Sequence, residues 1–234
     1  MIDIHNHSLY DVDDGSDSLE ETIAMTEEAK RQGVTDIIMT PHYRHGMFPY
    51  EKEKIEEHFL IARDHADEIG VNLYLGCEYH VDSDMIPNLR SGRVHTLGDT
   101  DYMLLEYSHL TEEQTIRNTV RETLLAGYIP IVVHIERYGA FLRNRDLAGD
   151  LREEGALIQT NADNVLGLEG REGKKFAKEL IKAGQVDFIA SDAHGVENRA
   201  SHMEKAYRYV SKKFGQETAE LLFERNADRI LDAV

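Results

Sequence analysis

The sequence predicts an α/β fold in which short parallel strands alternate with helices. Three observations lead there. Seven short, continuous apolar runs recur along the chain, of the kind buried on both faces of a parallel sheet. Longer amphipathic segments with readable starts and stops separate them. No Pro/Ser-rich linker or low-complexity tract interrupts the alternation, and 234 residues suit one domain spanning 1–234. Seven β/α units in succession require helical crossovers, giving either an open doubly wound sheet or a closed barrel related to the eightfold one.

In chain order the strand candidates are residues 2–5 (IDIH), 36–40 (DIIMT), 72–77 (NLYLGC) and 102–107 (YMLLEY). They continue with 129–135 (IPIVVHI), 156–161 (ALIQTN) and 187–191 (DFIAS). Between them, Ser18 with Glu21, Thr111 with Gln114, and Ser201 with Glu204 have the spacing of a capping box. Gly33, Gly127 and Gly184 stand where helices should stop. The helices from 203 onward close the chain.

Composition narrows the function. With 41% hydrophobic and 30% charged residues, and no apolar run near the ~20 residues of a membrane helix, no membrane insertion is expected. The N-terminus lacks the basic, apolar and small-residue series of a signal peptide, so a cytoplasmic location is expected. Cys77, the only cysteine, has no internal partner. A formal charge of −18 repels phosphate backbones and argues against nucleic-acid binding.

Chemistry collects at the strand ends. His5 and His7 follow the first run, His42 the second, Glu78 the third, Glu106 the fourth, His134 the fifth, and Asp192 and His194 the seventh. In a barrel or an open α/β sheet the carboxyl ends of the strands share one face, so these residues become neighbours. Residues i and i+2 of a strand point to one side, which lets His5 and His7 bind one ion. The loop YDVDDG is not a calcium loop, because aligning its Gly15 with that motif puts Tyr10 and Val12 at carboxylate positions. Spacing does not choose among Asp11, Asp13 and Asp14. Imidazoles and carboxylates without thiolate suit manganese, iron or zinc, and so many ligands imply two or three ions bridged by Glu78 and Asp192. Such a cluster performs hydrolysis with a metal-activated hydroxide. Arg44, Arg137 and Arg199, each near a ligand, suit paired hydrogen bonds to phosphate.

Other chemistries lack their motifs. Six residues beyond Cys77 stands Ser83 where a cysteine phosphatase needs arginine, and neither GxSxG nor GxxxxGK[ST] occurs. Cys77 is therefore read as packing. His58 and His65 are read as solvated helix residues. His45, His80, His95, His109 and His202 carry no assignment, although His80 shares Glu78's side of its strand.

With DIHNH, DVDDG, TPH, GCEYH, LLEYS, HIERY and SDAH in this order, the sequence resembles the PHP (polymerase and histidinol phosphatase) superfamily. More narrowly it resembles the CpsB/CapC group of bacterial tyrosine-protein phosphatases from capsule and exopolysaccharide loci. The resemblance implies a distorted (β/α)7 barrel, a trinuclear and usually manganese-dependent centre, and action on the phosphotyrosine tail of a tyrosine autokinase. It places His5, His7, Glu78 and Asp192 around one ion, Glu78, Glu106 and His134 around a second, and Asp14, His42 and His194 around a third. It makes Arg137 and Arg199 phosphate-binding and, with His42, catalytic, and leaves Asp11 and Asp13 as loop residues. Tyr43, Met47, Phe48 and Tyr138 would cradle an aromatic substrate. The rival readings are a small-molecule phosphatase such as one for histidinol phosphate, a non-catalytic metal-binding module, and a nuclease, which the acidic charge disfavours.

Overall fold

A computed structural model describes residues 1–234. Its strands are β1 (Ile2–Asn6), β2 (Asp36–Met39), β3 (His42–Tyr43), β4 (Asn72–Leu75), β5 (Glu78–His80), β6 (Tyr102–Glu106), β7 (Ile129–Val132), β8 (Leu157–Asn161) and β9 (Phe188–Ala190). The expected second and third runs, 36–40 and 72–77, form β2 and β4, and each is followed after a short break by a further strand beyond its predicted end, β3 and β5. Pro41 explains the first break, since it has no N–H to give to a ladder. Pairing runs β1-β2-β4 in one sheet and β3-β5-β6-β7-β8-β9 in the other, and every pair is parallel.

The two sheets form one curled surface, because β3 continues the path of β2 and β5 that of β4. The last strand path returns to the first: the Asp192 N–H donates to the His5 carbonyl and the His7 N–H to the Ala193 carbonyl, each at 2.9 Å. Seven strand paths thus form the expected distorted barrel. Where β4 and β6 part, the turn Leu97–Asp99 packs against both.

Side chains alternate along each strand, which sorts the apolar residues into two clusters. Ile37, Met39, Leu73, Val132, Ile158 and Ile189 point outward onto buried helix residues such as Ala29, Ile55, Ile116 and Phe176. Ile2, Ile4, Ile38, Leu104, Ile131, Val133 and Phe188 fill the interior, closed by Leu97, Ala227 and Ile230. Toward the carboxyl ends the inner positions turn polar: Leu104 is followed by Glu106, and Leu157 by Gln159 and Asn161.

One of the expected capping boxes forms in part: the Ser18 side chain caps its helix, but Glu21 Oε2 accepts from the Asp17 N–H rather than from that of Ser18. Ser18 Oγ accepts from the Glu21 N–H at the start of helix Leu19–Arg31. The other two do not form. Thr111 is taken up in a turn, its N–H bonded to the Ser108 carbonyl, and its helix begins at Glu113. At helix Met203–Phe214 a tertiary partner replaces the cap: Gln32 Oε1 accepts from the Glu204 N–H, and Gln32 Nε2 donates to the Ser201 carbonyl. Gly33, Gly127 and Gly184 follow helix ends at φ 85°, 94° and 67°, as expected. Cys77 is buried, and burial pushes its thiol well above the usual range, consistent with packing. No helix is long and apolar enough to cross a membrane.

Candidate metal centre

His5 and His7 are fully buried at the end of β1, and their Nε2 atoms lie 3.2 Å apart. Asn6 between them points elsewhere, donating to Asp3 Oδ2, as strand alternation requires. Glu78 Oε2 is 3.2 Å from both of those nitrogens and 3.0 Å from His42 Nδ1, while Glu78 Oε1 is 2.7 Å from His134 Nε2. Asp192 Oδ1 lies 3.6 Å from both His5 and His7 Nε2. Asp14 Oδ1 is 3.5 Å from His42 Nε2 and 3.6 Å from His194 Nε2. All nine expected residues therefore meet on one face.

They fall into overlapping sets whose ligand atoms lie within 4.8 Å of one another. Asp14, His42 and His194 group as the resemblance implies, with His7 added. His5 and His7 group with Asp192. The remaining partition differs: Glu106 falls with His42 and Glu78, whereas His134 falls with His5 and Glu78. Glu78 is the member those two sets share.

The donor set suits cations. Buried polar atoms are normally hydrogen-bonded, yet His5 Nδ1, His42 Nδ1, Glu78 Oε2, Glu106 Oε2 and His194 Nε2 are buried without a partner. His42 Nδ1 and Glu78 Oε2 are 3.0 Å apart but not in hydrogen-bonding geometry. Lone pairs of nitrogen and oxygen converging on shared space are what a first-row divalent ion satisfies.

The local field is strong. Burial, followed by the charge of Glu78, pushes the Glu106 carboxyl up to about 7. Burial acts on Glu78 in the same direction, but His5, His42 and His134 outweigh it and hold Glu78 well below the usual range. Burial and the charge of His7 push His194 down to about 4. His7 moves the other way, because Asp13 and Glu78 overcome its burial.

Asp13 corrects an expectation. It lies in the loop as expected, but with a buried carboxylate whose Oδ2 is 2.8 Å from His7 Nδ1 and accepts from the His42 N–H at 2.9 Å. Its Oδ1 accepts from the Gly15 N–H. Second partners of this kind fix the ring orientation of a ligating histidine. Asp11 is an exposed loop residue, as expected, paired with Lys54. His58 is not simply solvated: it stacks on Tyr10 and its Nδ1 lies 2.9 Å from the Tyr10 carbonyl, bracing the acidic loop.

Two of the four residues expected to cradle substrate do not. Tyr43 is buried, stacked on Tyr79. Tyr138 is buried beneath His134, accepting from the Tyr107 N–H with its hydroxyl 3.1 Å from His134 Nδ1. The sixth strand path, which offers no ionisable residue, supplies amides instead. Gln159 Oε1 accepts from the His134 N–H, and Asn161 Nδ2 donates to Asp192 Oδ2, both at 2.8 Å. Its polar ending QTN was the visible signal.

Above the cluster is a pocket of about 180 Å³ that reaches His42, Glu106 and Asp192 and is rimmed by Arg44, Arg137 and Arg199. Arg137 donates to Asp192 Oδ2 at 2.8 Å and Glu169 Oε1 at 2.7 Å. Arg199 Nη2 is 3.3 Å from both Asp192 oxygens. Residues 44–48 form a tight hairpin that carries Met47, 58% exposed, and stacks Phe48 on His42. His80 belongs to none of the ligand sets and lies 3.2 Å from Ser108 Oγ.

The curled parallel sheet, with its imidazoles and carboxylates gathered at the strand carboxyl ends, defines a distorted β/α barrel of the PHP type. The family model described as capsular polysaccharide synthesis, CpsB/CapC, matches residues 1–232. Tyrosine-protein phosphatase CpsB of Streptococcus pneumoniae is 36% identical over 238 residues, covering 99% of this chain and 98% of that protein. Tyrosine-protein phosphatase YwqE of Bacillus subtilis (strain 168) is 33% identical over 233 residues, covering 99% and 91%. A crystal structure from work on YwqE and CpsB, described as unique metal-dependent tyrosine phosphatases, superposes with a TM-score of 0.92 at 30% identity, covering 100% of this chain and 96% of that one. The chain belongs to the CpsB/CapC family.

Proposed function

We propose that residues 1–234 work as one domain, a metal-dependent phosphatase that removes phosphate from protein phosphotyrosine and regulates capsule or exopolysaccharide synthesis. The proposed site is in the cytoplasm, and the substrate is the tail of a tyrosine autokinase. Membership of a family whose relatives are tyrosine-protein phosphatases supports the chemistry. The observation that carries the reading is three guanidinium groups around a pocket lined by six of the nine convergent imidazoles and carboxylates, Asp14, His42, Glu78, Glu106, His134 and Asp192.

His5, His7, Asp14, His42, Glu78, Glu106, His134, Asp192 and His194 would hold two or three ions; the mixture of nitrogen and oxygen donors suits manganese, iron or zinc, and the family resemblance favours manganese. Bound ions would supply Lewis-acid polarisation of phosphate and a water acidic enough to ionise near neutral pH. Arg137 and Arg199 take phosphate oxygens, with Arg44 on the opposite rim. Phe48, fixed against His42, and the exposed Met47 offer an apolar wall for a tyrosyl ring. A pocket this small accepts a side chain presented by a larger molecule.

The test is phosphate release from a phosphotyrosyl peptide and from histidinol phosphate, with manganese or chelator. Manganese-dependent release from the peptide is expected, with Arg137→Ala lowering kcat/KM by about a hundredfold. Release from histidinol phosphate alone would replace this reading with that of a small-molecule phosphatase.

A further inference from the structure

Glu169 lies at no strand end and outside the candidate ligand set, yet it touches the arginine most closely joined to that set. Its Oε1 accepts from Arg137 Nη2 at 2.7 Å, while Nη1 of the same guanidinium donates to Asp192 Oδ2 at 2.8 Å. Arg137 is thereby held at two points. A guanidinium has five N–H donors, so three are uncommitted to these carboxylates.

The mount for Glu169 is itself built. Its other oxygen accepts from Asn164 Nδ2 at 2.6 Å, and Asn164 is buried in the short helix Ala162–Leu166. Gly173 lies so close that a Cβ there would stand 2.1 Å from Asn164 Oδ1, which confines that amide. The turn is completed by Gly170 at φ 121°, a conformation that disfavours any side chain. Glu169 is thus anchored independently of Arg137.

We propose that Glu169 is a positioning residue, which with Asn164 sets the plane of the Arg137 guanidinium so that its uncommitted N–H groups meet phosphate oxygens. This rests on the reading of Arg137 as a phosphate-holding residue. A carboxylate so close to a phosphate ligand could also play the opposite role, as a latch that phosphate must displace. The Asn164 anchor favours the mount, because a latch gains from being loose.

The experiment uses the manganese-loaded enzyme and measures kcat and KM on a phosphotyrosyl peptide, together with inorganic phosphate affinity by calorimetry. Glu169→Ala is expected to raise KM and weaken phosphate binding about tenfold, the scale of one charge-assisted hydrogen bond. Bound metal and melting temperature should stay near wild type, and Glu169→Gln, which keeps one acceptor oxygen for the two donors Arg137 and Asn164 and loses the charge, should recover only part of the loss. In an Arg137→Ala background Glu169→Ala should add nothing, since the two residues act through one contact. Tighter phosphate binding in Glu169→Ala would overturn the proposal in favour of a latch. An equal penalty with and without Arg137 would reduce Glu169 to a structural role. If the wild type binds phosphate but does not hydrolyse the peptide, the enzymatic reading fails, and the calorimetric comparison still decides the role of Glu169.

Discussion

Asp13→Asn separates the support of the centre from its ligands, because it removes none of the nine. The Asp13 side chain is 1% exposed and serves His7 Nδ1, the His42 N–H and the Gly15 N–H. An amide has one acceptor oxygen where the carboxylate has two, so whichever way the new side chain turns, one of these groups faces an NH2. Leaving one buried N–H without an acceptor costs about 1–3 kcal/mol, which sets the expected stability loss of the metal-free chain. His7 also loses the negative partner that holds its imidazole in register, and supporting partners of this type are worth about 10- to 100-fold in metal affinity. The assays are manganese titration by calorimetry, phosphate release as a function of manganese concentration, and the melting temperature of metal-free protein. Affinity should fall by that factor, while the rate at saturating manganese returns to within about tenfold of wild type, because every ligand is still present. Asp11→Asn is the control: it is exposed, its ion pair with Lys54 is a surface one, and no change is expected. Wild-type manganese affinity in Asp13→Asn would refute the argument and reduce Asp13 to a residue that closes its own turn.

Gly15→Ala should be destabilising by about 1–3 kcal/mol and should weaken manganese binding, because a Cβ would fall 1.9 Å from the His7 carbonyl oxygen. Unchanged melting and manganese affinity would show that the acidic loop yields freely. Glu136→Gln should change the pH dependence of stability: burial pushes the Glu136 carboxyl up to about 7, against 4.5 for the free side chain. Between those values the folded chain holds a proton that the unfolded chain releases, so this group's contribution to stability falls as pH rises through the window, by about 3 kcal/mol in all. A glutamine side chain cannot ionise, so metal-free Glu136→Gln should gain on wild type in melting temperature between pH 5 and pH 8, and a constant difference would refute the assignment.

Eight of the nine candidate ligands were legible because they depend only on where strands end, whereas Asp14, in a loop, came from the family resemblance alone. Residues scattered from His5 to His194 are brought together by the parallel sheet, and the period of two puts His5 and His7 on one side. What escaped depends on tertiary geometry. Asp13 and Asp14 are adjacent and chemically alike, and their roles part only because the loop folds back, with the Ser16 N–H on the His7 carbonyl and the Asp11 N–H on the Ser16 carbonyl. Tyr138 and Phe48 both follow ligand histidines closely. One turns beneath His134 into the core and the other stacks on His42 at the pocket, a difference that composition does not encode. The capping box lost at Ser201 has the same origin, since Gln32 reaches the helix at Met203 from a segment remote in sequence.

Backbone strain points to the same face. His134, Asp192 and Arg199 have φ of 32°, 53° and 51°, a left-handed conformation that costs side-chain-bearing residues roughly 1–3 kcal/mol each. Two of them belong to the proposed ligand set and the third to the phosphate-binding pair. Each is held by a neighbour. The His134 N–H is fixed on Gln159, the Asp192 N–H on the His5 carbonyl, and the Arg199 carbonyl by the His194 N–H. A chain selected for stability alone would place glycine at such positions and partner the orphaned Glu78, Glu106 and His194 atoms. Three of the six non-glycine residues with positive φ and five of the eleven unpartnered buried atoms belong to the residues proposed to bind ions and phosphate, while the apolar interior from Ile2 to Phe188 offsets their cost from the opposite end of the barrel. Asp192 is placed so that one oxygen faces His5 and His7 and the other faces Arg137 and Asn161, joining the proposed ion site to the proposed phosphate site through a single carboxylate.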